Sequence, residues 1–181
     1  NKNDLPEGTK VIDSTWACKK KSTGTLCGQL NARGFKQIQG EHDDPFSIAF
    51  PVTNGMTICI VLTIMLAAGW VTLVVGVKEA FLHGEFQDGK EIYMKVPQGW
   101  KKHYSHNSVL KLLRCIYGLK QTVMAFWHEL LKCMKHMKMK RSMADPCLYH
   151  RWTGNGLVLM ASWIDDNLLV GSEEAVAKTK N

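Results

Sequence analysis

The chain has no Cys-x-x-Cys pair. Its six cysteines, Cys18, Cys27, Cys59, Cys115, Cys133 and Cys147, are scattered. That spacing excludes a zinc ribbon or a disulfide frame and reads as reduced core thiols of an intracellular protein. The seven histidines form no ligand pattern. Cys133 and His136 share a helix face, but two ligands without a second pair do not make a metal site. The longest apolar run, Ile58–Ala68, is broken by Thr63 and is too short to span a bilayer, so no membrane partner is expected. No signal-peptide pattern, internal repeat or low-complexity stretch occurs. The chain opens at Asn1 and ends about fifteen residues after its acidic turn, so a segment of a longer reading frame is expected.

What is present suffices for a folded unit. A length of 181 residues with 45% apolar content allows one domain with a real core, or one lobe of a larger enzyme. The net charge of +7 permits a polyanionic partner without demanding one.

The stretch Leu157–Gly171, LVLMASWIDDNLLVG, organises the rest. A run of apolar and β-branched residues leads into Asp165 and Asp166, and a second apolar run, Leu168–Val170, follows. This reads as two antiparallel strands joined by a tight acidic turn. Two adjacent carboxylates repel each other, and a divalent cation between them and a third ligand would relieve the repulsion. The alternative is a solvated turn, since Asp is a common turn residue.

Upstream, Lys10–Lys20 and Leu26–Phe35 are strand-like around the turn Lys21–Gly24, giving a basic hairpin with Lys19, Lys20, Lys21, Arg33 and Lys36. It is either a solvated edge or a flap over something anionic. Gln37–Pro51 reads as a loop. Thr53 and Asn54 offer N-cap oxygens to a helix over Met56–Ala68 that ends at Gly69. That helix is apolar nearly all round, so burial against a sheet is expected. Val71–Val77 reads as a central strand, followed by a short helical turn ending at Gly84. Glu91–Val96 and Ser108–Arg114 are short strands. Leu119–Met139 has apolar residues at helical spacing, with Lys120, Lys132, Lys135, Lys138 and Lys140 on the outer face. Those lysines are a solvated face or a track for a phosphate backbone. A strand over Cys147–Trp152 and a TGNG turn precede the acidic hairpin, and Ser172 caps a last helix. The order predicts an α+β fold, with helices backing one face of an antiparallel sheet.

Six stretches taken together resemble the reverse transcriptase of copia-type retrotransposons. They are NARGFKQIQG (Asn31–Gly40), VKEAFLHG (Val77–Gly84), EIYMKVPQG (Glu91–Gly99), YGLKQ (Tyr117–Gln121), ADPCLY (Ala144–Tyr149) and WIDD (Trp163–Asp166). They stand in the family's order and spacing from about residue 10 to residue 172. The resemblance implies a polymerase palm-like antiparallel sheet backed by helices, with a basic β-hairpin fingers region. Residues 1–52 would be fingers-like and 53–181 palm-like, without thumb or RNase H. It implies RNA-directed DNA polymerase activity by two-metal nucleotidyl transfer, with two Mg²⁺ (or Mn²⁺) ions in an active relative. The implied partners are an RNA or DNA template-primer, deoxynucleoside triphosphates and the rest of the Pol polyprotein. The implied location is a cytoplasmic virus-like particle or the nucleus.

Asp165 and Asp166 match two of the family's three catalytic, metal-binding carboxylates. The position of the first, before the V-K-x-A-F-L-H-G motif, is Gly76, and Glu79 is a poor substitute because it follows on a helical turn. Phe81 falls where the family places an aromatic under the incoming sugar; it is equally suited to a core. Tyr117, Gly118 and Gln121 match the segment packed against nucleotide and template. Arg33 and Lys36 lie in the fingers hairpin, where cations meet triphosphate. Lys120, Lys132 and Lys135 are candidate nucleic-acid contacts. Three departures stand out: Gln29 replaces a basic residue, Thr122-Val123 replace Ala-Pro, and Trp163 replaces Tyr. Three readings follow: an active polymerase domain, a catalytically dead remnant of one, or a nucleic-acid-binding module with the aspartates as turn residues. Gly76 favours the second for this copy.

Overall fold

The computed structural model describes residues 1–37, 52–86 and 91–180. The loop expected over Gln37–Pro51 therefore lies, apart from Gln37, outside the described residues. The chain is α+β and divides into two compact units, residues 1–49 with 81–126, and residues 50–80 with 127–181.

The first unit carries the basic hairpin. Strands β2 (Ser14–Lys20) and β3 (Leu26–Ala32) pair antiparallel, with Ser14 opposite Ala32 and Lys20 opposite Leu26. The Lys21 N–H closes the turn on the Thr25 carbonyl at 2.9 Å. Beside it, β1 (Val11–Ile12) runs parallel to β5 (Ile92–Lys95), which pairs antiparallel with β6 (Val109–Leu112). Ile12, Ala32, Ile92, Met94 and Leu119 form one buried cluster. Four short apolar segments far apart in sequence thus share one small core.

The second unit is built on a five-stranded antiparallel sheet in the order β4 (Val71–Gly76), β10 (Asp166–Gly171), β9 (Gly156–Trp163), β8 (Leu148–Thr153), β7 (Lys140–Arg141). Side chains alternate across this sheet, as strand geometry requires. Val158, Met160 and Leu169 cluster with Leu130 and Met134 of α3 (Thr122–His136) and with Ala175 and Val176 of α4 (Glu173–Lys180). Leu159 and Val170 turn the other way and pack on Val61 of α1 (Gly55–Ala68). Helices cover both faces, not the one face expected. This explains why β9 reads as a continuous apolar run without clean alternation.

Two further expectations are corrected. Strand β4 lies at the sheet edge rather than in its centre, and Val71, Val74 and Val75 are exposed. A β-branched run reports strand propensity, not position in the sheet. Helix α1 does reach the sheet, but only Val61 of its fourteen residues is buried. Met56, Ile60 and Leu66 face outward. An all-round apolar helix gives no signal of which stripe will be covered. The cysteines are corrected too: all six are free, but only Cys115 and Cys147 are buried. Desolvation pushes those two thiols up, to about 12 and about 11, so they stay protonated at neutral pH.

The helix ends follow local chemistry. The Asn54 side chain accepts from the Met56 N–H (2.9 Å), and Gly69 closes α1 at φ +64°. Helix α3 starts at Thr122, whose hydroxyl donates to the Ile116 carbonyl (2.8 Å), three residues later than its apolar pattern suggests. It ends where Lys138 turns left-handed (φ +56°) and the Met139 N–H reaches the Met134 carbonyl at 2.9 Å. Among the described residues no helix is long and apolar enough to cross a membrane.

The buried carboxylate of Asp145 ties α1 to the loop before β8. It accepts from the Asn54 N–H (3.0 Å) and the Cys147 N–H (2.8 Å). Burial by itself would raise this carboxyl, but the Thr57 hydroxyl and the two N–H groups together hold it below the ordinary carboxylate range. Asp145→Ala strands the buried Cys147 N–H and the part-buried Asn54 N–H and is expected to cost about 2–4 kcal/mol in urea unfolding at pH 7. Because the folded-state pKa is lowered, the stabilisation is present above the unfolded value and is lost as pH falls through the folded one. The gap between parent and variant is therefore expected to narrow in unfolding curves taken at progressively acidic pH.

Candidate functional site

In the second unit, the acidic turn forms as expected. Strands β9 and β10 pair with Trp163 opposite Asp166, leaving Ile164 and Asp165 as a two-residue turn. On its other side Asp166 lies opposite Gly76 of β4. The Val77 N–H donates to the Asp165 carbonyl at 2.9 Å, fixing the end of β4 to the turn. Positions 76, 165 and 166 are thus gathered at one end of three neighbouring strands. Both carboxylates are exposed. A Cβ built on Gly76 would lie 3.5 Å from Asp166 Oδ1 and, among the described residues, meet nothing else within 4 Å. The backbone therefore has room for a side chain there, and the sequence supplies none.

The turn is strained. Ile164 sits at φ +55°, a left-handed conformation that costs a β-branched residue about 1–2 kcal/mol. Behind it, Asn167 is buried and its amide nitrogen reaches the Val75 and Asp165 carbonyls, each at 3.4 Å. Its Oδ1 has no partner among the described residues. Sequence reasoning passed over Asn167; a polar residue interrupting an apolar strand was the available signal. Glu79 sits on a left-handed turn at φ +54° and is exposed. Among the described residues no group of three or more His, Cys, Asp or Glu side chains is placed to hold a metal ion. Asp165 and Asp166 are hard oxygen donors of the right kind, but two exposed carboxylates are one short of the three-carboxylate set that the resemblance implies. The residues present do not complete that site.

The six candidate nucleotide contacts lie in the first unit. Phe81, in the short helix α2 (Ala80–His83), meets Tyr117 edge-on at 5.0 Å between ring centroids and Phe126 at 6.2 Å. It is half-buried, so it packs in an aromatic cluster with part of its surface left accessible. Gly118 takes φ +88°, and a Cβ there would lie 2.2 Å from the Ala32 carbonyl oxygen. A Cβ on Gly34 would lie 2.0 Å from the Gly118 carbonyl oxygen. Two glycines let the backbone after β3 press against the YGLKQ segment, where Ala32 N–H donates to Tyr117 O at 2.7 Å and Gly34 N–H to Gly118 O at 3.1 Å. Only glycine fits at either position.

Gln37 completes this junction. It is buried, donates to the Gln121 Oε1 (3.0 Å) and accepts from the Lys120 N–H (2.9 Å). The Lys120 ammonium reaches the Gln37 carbonyl at 3.2 Å. Gln37 falls in the stretch that reads as a loop, and nothing local in the sequence marks its role. Arg33 is exposed. Lys36 pairs with Asp13, which also holds Lys95 at 2.8 Å. Hydrogen bonding from Lys36, then from Lys95, holds the Asp13 carboxyl at about 2. On α3, Lys132 reaches Glu129 at 2.6 Å and Lys135 is exposed. Gln29, in place of a basic residue, donates to Asn31 Oδ1 at 2.8 Å.

Comparison with known proteins gives one family. The profile described as reverse transcriptase (RNA-dependent DNA polymerase) matches residues 2–180. The chain is 30% identical over 185 residues to the retrovirus-related Pol polyprotein from transposon TNT 1-94 of Nicotiana tabacum, covering 98% of this chain. It is 30% identical to the retrovirus-related Pol polyproteins from transposons RE2 and RE1 of Arabidopsis thaliana, covering 96% and 93% of this chain. It spans 14%, 12% and 12% of those three polyproteins. No solved structure matches.

Gly34→Ala is expected to cost roughly 2–3 kcal/mol in urea unfolding, because a 2.0 Å approach to backbone cannot be absorbed by a side-chain rotation. The Asp13 pair titrates in acid. Its folded pKa of about 2 lies below the ordinary 3.8, so its stabilisation is present above pH ~4 and lost as pH falls towards 2. Asp13→Asn is expected to lower stability by at most about 1 kcal/mol at pH 6, since the pair is partly exposed, and by nothing measurable near pH 2.

Proposed function

The chain belongs to the reverse transcriptase (RNA-dependent DNA polymerase) family, and from that premise we propose that it is the fingers and palm region of a copia-type polymerase whose metal site has lost one carboxylate. One observation carries the proposal: the register sets Asp166 directly opposite Gly76, with Asp165 in the adjoining turn. In this reading residues 1–52 are fingers-like and 53–181 palm-like. Asp165 and Asp166 are the surviving ligands of a centre that in an active relative takes two Mg²⁺ or Mn²⁺ ions. Such ions activate the attacking oxygen and neutralise the leaving pyrophosphate. With the bridging ligand absent, this copy is a catalytically impaired remnant that retains the fold.

The remaining residues keep binding roles. Phe81 presents a ring edge to the sugar of a deoxynucleoside triphosphate, where a 2′-hydroxyl would collide. Tyr117, Gly118 and Gln121 form the backbone surface under nucleotide and template, held in shape by Gln37. Arg33 offers an exposed guanidinium to phosphate. Lys36 serves the same end only if the ligand displaces it from Asp13. Lys120, Lys132 and Lys135 contact the backbone of an RNA or DNA template-primer. The rest of a Pol polyprotein supplies whatever this segment lacks, in a cytoplasmic particle or the nucleus.

The test is primer extension on an RNA template in Mg²⁺, with this segment placed inside an otherwise intact copia-type polymerase. The unmodified segment is expected to extend primers at least about 100-fold more slowly than its Gly76→Asp variant. Asp165→Ala in that variant is expected to abolish extension again. Ordinary extension by the unmodified segment would refute the impairment and direct attention to another ligand. Inactivity of both forms would point to Gln29 or Thr122-Val123.

A further inference from the structure

A second cluster of cations lies in the first unit and takes no part in the site above. After β5 the chain runs through successive tight turns. Trp100 N–H donates to Pro97 O (3.1 Å), His103 N–H to Trp100 O (2.9 Å), Tyr104 N–H to Lys101 O (3.2 Å) and Ser108 N–H to Ser105 O (3.0 Å). The amino-terminal segment is tied to them through Lys2 N–H and the Asn107 carbonyl at 2.9 Å. These turns surround a cavity of about 520 Å³, within the size range of ligand pockets.

The lining has one sign of charge. Lys2, Lys95, Lys101 and Lys102 contribute to it, with His106, and among the described residues no acidic side chain does. Lys95 shares its charge with Asp13, so Lys2, Lys101 and Lys102 set the potential. Low-dielectric walls around like charges focus the field on an anion. Aromatic rings stand among the cations: Tyr104 lines the cavity and is 42% exposed, and Trp100, against His103, is 52% exposed. Large exposed rings cost hydration unless something stacks on them. Cations that track phosphates, interleaved with open rings that take bases, are the chemistry of single-strand binding. A free phosphate would use the lysines and leave the rings idle.

We propose that this cavity holds a segment of single-stranded nucleic acid, with Lys2, Lys101 and Lys102 on the phosphates and a base stacked on Tyr104. The choice of a nucleic-acid strand over another polyanion rests on the reverse-transcriptase reading; the charge and shape of the cavity do not.

The experiment is fluorescence anisotropy with a labelled uridine oligonucleotide of about 20 nucleotides, titrated with the full chain at several salt concentrations. The Lys101→Glu/Lys102→Glu variant is expected to bind about tenfold or more weakly, with the slope of log K against log salt reduced by roughly 1.4. Tyr104→Ala is expected to bind about fivefold or more weakly with the slope unchanged. All of these residues are exposed, so the fold is not at stake. Parent-like RNA affinity in both cavity variants would overturn the proposal. So would tripolyphosphate binding that needs the lysines while Tyr104→Ala changes nothing, since that describes a free-phosphate site. RNA affinity lost in the cavity variants while Gly76→Asp still fails to extend primers supports the cavity and counts against the polymerase reading alone.

Discussion

The second unit depends on a carboxylate taken out of water. Asp145 is 4% exposed, and burying its charge is unfavourable unless donors replace the lost hydration. The first turn of α1 supplies them, through the Asn54 N–H and the Thr57 hydroxyl, and the Cys147 N–H completes the set. A helix N-terminus is a good partner for this charge, since its free N–H groups and its dipole both favour an anion. Just before it, the Thr53 hydroxyl donates to the Ser162 carbonyl, next to the acidic turn. The start of α1 is thus fixed at once to the loop before β8 and to the end of β9. The register that brings Asp166 opposite Gly76 is read out at that end of the sheet.

That anchoring matters because α1 has little else to hold it. Val61 packs against Leu159 and Val170, and most of the remaining apolar surface of the helix faces outward. Helices α3 and α4 bury far more on the opposite face through Leu130, Met134, Ala175 and Val176. The sheet between them has its centre in β9, where Val158 to Ser162 are buried without a break. Its edges are less covered. Strand β4 exposes three valines, yet it is the strand that carries position 76.

In the first unit, close backbone approach does the work that the carboxylate does in the second. Gly34 and Gly118 bring two segments of chain to a separation that no Cβ allows. Gln37 then satisfies Gln121 and the Lys120 amide, so that buried polar groups at the junction are paired. Lys36 is drawn to Asp13, which leaves Arg33 as the more open cation of the pair assigned to phosphate. The same Asp13 takes Lys95 from the basic cavity, so one acidic side chain tempers two cationic surfaces.

The local order along the chain was legible in the sequence. Turn chemistry marked the basic hairpin and the acidic hairpin, Asn54 and Gly69 marked the ends of α1, and apolar spacing marked α3. These signals act between near neighbours, so they survive without tertiary context. The reverse-transcriptase lineage was also legible, from six short motifs in order, and so was the absence of a carboxylate at position 76. What depends on distant partners was not. That β4 is an edge strand, that both sheet faces are covered, and that Gln37 is buried follow from which segments meet. A strand of valines has the same propensity at an edge as in a centre. The sequence by itself determined which groups are available for chemistry. Only the tertiary structure decided which of them are occupied, as Lys36 is by Asp13, and which surfaces stay open, because pairing and burial are properties of groups brought together from far apart in the chain.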